Sequence, residues 1–194
     1  MSYLKHEIDE FLSKEELAEV WSAINSESRW KWHKFAGGAM FWYYEVFLSD
    51  SFYFEENKGT SGEWTHTPNW VEGIPPVWNK IYEKVKELAG SNFVMWRYII
   101  NGQTQGQEGE AHTDFHGYEK APTETFILYL NEEWNPEWGG DTIFYHPNSM
   151  DERGRIPVTP GKLIGYDSRI KHRGSAPTEK NILRVTLAIQ GKYE

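Results

Sequence analysis

The chain has 194 residues, 39% hydrophobic and 25% charged, a composition that suits one folded domain with a core and excludes a disordered chain. Its net charge of -9, with no cluster of Lys or Arg, excludes a sequence-independent nucleic-acid binder, which needs cations for phosphates. The absence of Cys excludes disulfides and thiolate metal sites.

The opening MSYLKHEIDE has no apolar stretch of the secretory kind, and no apolar run is long enough to span a bilayer. A soluble, cytoplasmic protein without a membrane partner is therefore expected. In chain order, Ser13-x-x-Glu16 reads as a capping box that opens a helix, and Leu17, Val20, Trp21 and Ile24 follow at helical spacing. MFWYYEVFL (40–48) reads as a strand inside an aromatic-rich stretch, residues 28–74. A second helix is expected from Pro75-Pro76, with Val77, Ile81, Tyr82, Val85 and Leu88 on one face and Gly90 as its C-cap.

After Gly90 the texture changes to short apolar runs between turn residues: FVMWRYII, EAHTDF, ETFILYLN, DTIFY, KLIGYD and ILRVTLAIQ. That spacing predicts a β-sandwich or barrel. The organisation expected is one domain over 1–194, with helical and aromatic support to about residue 92 and a β core over about 93–190.

His112-Thr113-Asp114 falls in one of these runs, after the loop NGQTQGQEGE. On a strand, residues i and i+2 share a face, so the imidazole and the carboxylate can converge on one cation. His116 shares that face but is a poor third ligand. Four residues of strand span about 13 Å, whereas metal–nitrogen bonds are about 2.1 Å. His172, beyond KLIGYDSRI, is the better third ligand from another strand. Two His and one carboxylate with open positions form the facial set of non-haem Fe(II) oxygenases. His33, His66 and His146 fit no comparable pattern. An isolated H-x-D is more often a polar surface pair than a metal site, so the triplet alone does not carry the assignment.

ILRVTLAIQ alternates: Leu183, Val185, Leu187 and Ile189 face one way, and Ile182, Arg184, Thr186 and Ala188 the other. On an amphipathic strand, Arg184 and Thr186 would be the wet side. Inside a barrel, Arg184 would be a buried cation that needs an anion, and a guanidinium can grip a carboxylate with two hydrogen bonds. Thr186 could add a hydroxyl. In ETFILYLN, Tyr129 shares a face with Thr125 and Ile127; it is either core or a phenol aimed at the same carboxylate.

The segments HTD (112–114), TFILYLNEEW (125–134), GGDTIFY (139–145), PGKLIGYD (160–167), HRGSAP (172–177) and RVTLAIQ (184–190) occur in an order that resembles the prolyl-hydroxylase-like branch of the 2-oxoglutarate and Fe(II)-dependent oxygenases. The resemblance covers roughly residues 93 to 190. It implies a mostly β fold with supporting helices, built on a double-stranded β-helix (jelly-roll) of eight strands.

It also implies His112, Asp114 and His172 as iron ligands, and Arg184, assisted by Tyr129, on the distal carboxylate of 2-oxoglutarate, with Thr186 as a neighbouring donor. Collagen-type relatives carry Lys at the basic position, and the oxygen-sensing type carries Arg, as here. Halogenases of the wider superfamily lack the carboxylate ligand, so Asp114 favours hydroxylation. The cofactors implied are Fe(II), 2-oxoglutarate and O2, with ascorbate as a candidate auxiliary; the products are succinate and CO2.

The substrate implied is a peptidyl side chain, proline first. The alternatives are an oxygenase acting on a small molecule such as a free amino acid, and a non-oxygenase jelly-roll binding protein. Two aromatic, loop-like segments are candidates for the substrate mouth: residues 64–70, including Trp64 and Trp70, and HGYEKAP (116–122), including His116 and Tyr118. For residues 64–70 the alternative is Trp packing under a loop.

Overall fold

The computed structural model describes residues 3–27, 30–34, 40–48, 74–114 and 121–194. In chain order the elements are β1 (His6–Ile8), α1 (Lys14–Ser26), β2 (Lys31–Lys34), β3 (Met40–Leu48), α2 (Pro76–Ala89), β4 (Phe93–Gln103) and β5 (Thr123–Tyr129). They continue as β6 (Thr142–Tyr145), β7 (Glu152–Ile156), β8 (Leu163–Asp167), β9 (His172–Gly174) and β10 (Arg184–Tyr193).

Both helices begin and end where their local chemistry dictates. Ser13 Oγ accepts from the Glu16 amide at 3.2 Å, and the Glu16 carboxylate accepts from the Ser13 amide at 2.8 Å, which closes the capping box of α1. Pro76 opens α2, where its missing N–H costs nothing. Gly90 ends α2 at φ 98, a region that a side chain would strain.

A seven-stranded sheet has the order β1-β8-β5-β10-β4-β3-β2, and a three-stranded sheet the order β7-β6-β9; every pairing is antiparallel. Two apolar clusters separate the layers. Leu17, Val20 and Ile24 of α1 and Val77, Ile81 and Val85 of α2 pack on Phe126, Leu128, Val185, Leu187 and Ile189, the outer face of the large sheet. Ile127, Ile164 and Ala188 from its inner face pack on Phe144 of the small sheet, with Tyr129 and Tyr166 alongside. This is the expected mostly β jelly-roll with supporting helices. Among the described residues no helix is long and apolar enough to cross a membrane.

The structure corrects the sequence reading in three places. The N-terminal support carries more strand than expected: β3 is the strand read at 40–48, but β2 pairs with it beyond β4 and β1 pairs with β8, neither of them foreseen. The loop expected from Asn101 begins later, because Asn101, Gly102 and Gln103 are held in register by β10 on one side and the first two also by β3 on the other. The segment around His112 is not a regular strand. Residues 112 and 172 form one isolated bridge, with hydrogen bonds in both directions at 2.9 Å. Residues 64–70, His66, His116 and Tyr118 lie outside the described residues.

Candidate metal centre and its cavity

Alternation on the inner face of the large sheet sets out the site. Antiparallel register places Arg184 opposite Gln103, Thr186 between Asn101 and Tyr129, Ala188 between Ile99 and Ile127, and Gln190 between Arg97 and Thr125. These layers line a cavity of about 310 Å³, except for Tyr129 and Thr125. His112, Asp114 and His172 enter it from the loop before β5 and from β9.

Candidate ligand atoms of His112, Asp114 and His172 lie within 4.8 Å of one another. The Nε2 atoms of His112 and His172 are each 3.5 Å from a different oxygen of Asp114. Both rings are turned the same way by their own backbone. His112 Nδ1 sits 2.8 Å from the Glu110 carbonyl, and His172 Nδ1 sits 3.0 Å from the Ile170 carbonyl. A carbonyl can only accept, so each Nδ1 carries the hydrogen. In the neutral ring Nε2 is then left with a lone pair facing Asp114, the tautomer a metal requires. Thr125 Oγ1 donates to Asp114 Oδ2 at 2.9 Å and fixes that carboxylate from behind.

The electrostatics agree with a cation site. Burial alone would raise the Asp114 carboxyl, but His172, His112 and the Thr125 hydroxyl outweigh it and hold Asp114 well below the usual carboxylate range. Burial pushes His172 down, towards the neutral form. His112 is open to solvent on one side. Burial works against its charge too, but the hydrogen bond and charge of Asp114 win and raise it. Two imidazoles and one anionic carboxylate, converging in a cavity, suit Fe(II) or Mn(II).

At the far end lies Arg184, 3% exposed. Its Nε donates to the Gly140 carbonyl at 2.6 Å, Nη1 to Gln103 Oε1 at 2.8 Å, and Nη2 to Thr142 Oγ1 at 3.1 Å. A fourth contact, to Thr186 Oγ1, is long at 3.5 Å. A guanidinium has five donors, so one is left over and another is weakly held. No carboxylate of the described residues forms an ion pair with it. Two glycines make room for this head group: a Cβ at Gly174 would sit 3.0 Å from Gln103 Oε1 and 3.2 Å from Arg184 Nη1, and one at Gly140 3.2 Å from Arg184 Cδ. The surface alternative for Arg184 and Thr186 is thereby excluded, because both are buried and line the cavity.

Tyr129 sits one step back from the cavity wall. Its hydroxyl donates to Thr142 Oγ1 at 2.8 Å, and its ring lies 5.7 Å from the Arg184 guanidinium carbon. Burial pushes its pKa up to about 12, so it stays a neutral donor. Thr142 takes bonds from both Tyr129 and Arg184, which leaves its own hydroxyl hydrogen free for a ligand. Sequence reasoning missed Thr142, Gln103, Arg97 and Gln190. Continuing the alternation of FVMWRYII through NGQ would have found Gln103 opposite Arg184. His146 lies in the turn after β6, away from the cavity lining.

The sequence model described as the 2OG-Fe(II) oxygenase superfamily matches residues 93–189. No curated protein matches the chain in sequence. Among solved structures, it is similar to a prolyl hydroxylase from Trichoplax adhaerens in complex with a hypoxia inducible factor peptide fragment. The TM-score is 0.67 at 14% identity, over 97% of this chain and 83% of that one. It is also similar to the viral collagen prolyl hydroxylase of Paramecium Bursaria Chlorella virus-1 in its 2OG complex, with a TM-score of 0.58 at 17% identity, covering 100% and 97%. A third is the alpha ketoglutarate dependent carbocyclase SnoK from nogalamycin biosynthesis, with a TM-score of 0.62 at 13% identity, covering 96% and 78%.

Proposed function

The chain belongs to the 2OG-Fe(II) oxygenase superfamily, and from that premise we propose that it hydroxylates a peptidyl side chain, proline being the first candidate. Each turnover would consume O2 and 2-oxoglutarate and release succinate and CO2.

One observation carries the reading: a buried cation without an anionic partner among the described residues, Arg184, shares a cavity with two imidazoles and a carboxylate. His112, Asp114 and His172 would hold the metal. Arg184 would take the distal carboxylate of 2-oxoglutarate, with Thr186 and the Thr142 hydroxyl as further donors and Tyr129 acting through Thr142 and the ring packed near Arg184. The bound iron and co-substrate supply the oxidising power, and the protein supplies position and a water-poor wall. A dicarboxylate bridges the two ends of such a cavity because each carboxylate meets its own partner. Ascorbate belongs to the proposal only as an auxiliary reductant.

Peptide substrates are supported by the likeness to prolyl hydroxylases, one solved with a peptide fragment. A small-molecule substrate is the second reading, favoured by the likeness to SnoK. Incubation with Fe(II), 2-oxoglutarate and a peptide panel should yield succinate and a peptide heavier by one oxygen. Succinate formation stimulated only by small-molecule substrates would favour the second reading.

A further inference from the structure

Beyond the metal ligands, at the end of the cavity opposite Arg184, lies a side chain with no part in holding the metal or the co-substrate. Gln190 is 2% exposed and lines the cavity, and its Oε1 has no hydrogen-bond partner among the described residues. Among the described residues neither end of its amide has a hydrogen-bond partner, although a buried amide is ordinarily satisfied. Its placement is built into the fold. It is the last inward residue of β10 before a β-bulge at Gln190/Gly191, and bulges re-aim the side chains beside them.

Its neighbours fix its distance from the chemistry. On one side it pairs with Thr125, whose hydroxyl holds Asp114. On the other it pairs with Arg97, which also lines the cavity. Oε1 is the sealed end of an amide that has no partner among the described residues at either end, so a half-turn of the amide presents it to a ligand, beside a guanidinium, next to the metal centre and away from the co-substrate end.

We infer that Gln190 and Arg97 form the subsite for the primary substrate and recognise a secondary amide beside the carbon that is oxidised. The amide N–H donates to Gln190 Oε1, and the amide carbonyl accepts from Arg97. A main-chain peptide bond offers both groups at adjacent atoms, whereas an ester keeps the carbonyl and lacks the N–H. This assignment rests on the peptidyl reading for its occupant but not for its chemistry, since a small-molecule amide has the same two groups.

The test is binding of matched probes, followed by ligand-observed saturation-transfer NMR. The protein carries 2-oxoglutarate and Zn(II) as a redox-inert metal. The probes are N-acetylproline N-methylamide and N-acetylproline methyl ester, the corresponding alanine pair, and N-methylacetamide. The amides should bind about fivefold more tightly than their esters, the worth of one neutral hydrogen bond. Gln190→Leu should erase that preference, and Gln190→Glu, which keeps an acceptor, should retain it. Arg97→Leu should weaken amide and ester alike.

Esters that bind wild-type protein as well as amides do, or a preference that survives Gln190→Leu, would overturn the subsite. Amide preference without hydroxylation of any peptide would keep the subsite and remove the peptidyl reading. In that case N-methylacetamide binding as well as the blocked residues would assign the subsite to a small-molecule amide. Hydroxylation of a peptide without amide preference would do the reverse, keeping the reading and removing the subsite.

Discussion

The two faces of β10 are equally buried and carry opposite chemistry. Val185, Leu187 and Ile189 are 0% exposed and pack into the cluster that joins the helices to the large sheet, while Arg184, Thr186 and Gln190 are 2–3% exposed and line the cavity. Burial alone therefore does not separate scaffold from site. What separates them is whether a buried group is satisfied within the protein. The outer face leaves no polar group to satisfy. Among the described residues the inner face leaves a cation without an anion and an amide without a partner, and such groups are costly unless a ligand meets them.

The contrast fails if a substitution on the outer face acts like one on the inner face. Leu187→Ala should lower stability by about 2–5 kcal/mol, the usual range for a buried Leu, as read by urea denaturation. Metal affinity of the folded fraction should hardly change. Arg184→Ala should act the other way, with little change in urea midpoint and an apparent KM for 2-oxoglutarate raised by roughly tenfold or more, since a hydrogen bond to a charged group is worth about 1.5–3 kcal/mol. Arg184→Lys should fall between, keeping charge and losing the fork. Normal 2-oxoglutarate turnover by Arg184→Ala would reduce Arg184 to a structural residue.

Most of this contrast is legible in the sequence. The period of two in ILRVTLAIQ separated the faces correctly, because both faces of a strand alternate whatever covers them. The capping box and the Pro and Gly at helix ends marked α1 and α2 for equally local reasons. What stayed hidden depends on distant partners. β1 is three residues long, and β7, within DERGRI, is an edge strand whose composition reads as loop. The position of His112 depends on one bridge to His172, which no local pattern encodes. Tyr129 was placed on the correct face, but that it reaches Thr142 depends on how the small sheet packs against the large one.

Smaller effects sharpen the contrast further. Thr125→Val should leave the fold intact and weaken Mn(II) binding by about 10–100-fold, the usual loss when a ligand's orienting partner is removed. The Thr125 hydroxyl touches no metal in this account, so unchanged affinity would mean that Asp114 is held by other groups.

The smallest effect lies far from the cavity. Burial would raise the Glu16 carboxyl, but hydrogen bonds from the Ser13 amide and Lys84 hold it below its ordinary value. Its folded pKa is therefore depressed. Its stabilisation is present above the unfolded value and is lost as pH falls through the folded one. Glu16→Gln should cost up to about 1 kcal/mol near neutral pH. The gap from wild type should close as the solution is acidified below the ordinary Glu range. A gap independent of pH would assign the effect to packing instead of charge.

Calorimetric titration of Mn(II), a redox-stable stand-in for Fe(II), into wild-type protein and into His112→Ala, Asp114→Ala and His172→Ala tests the central claim most directly. The account predicts one site in the wild type and a loss of affinity of at least about 100-fold in each folded variant, larger than any effect of a supporting residue. Wild-type affinity in the three variants would contradict it.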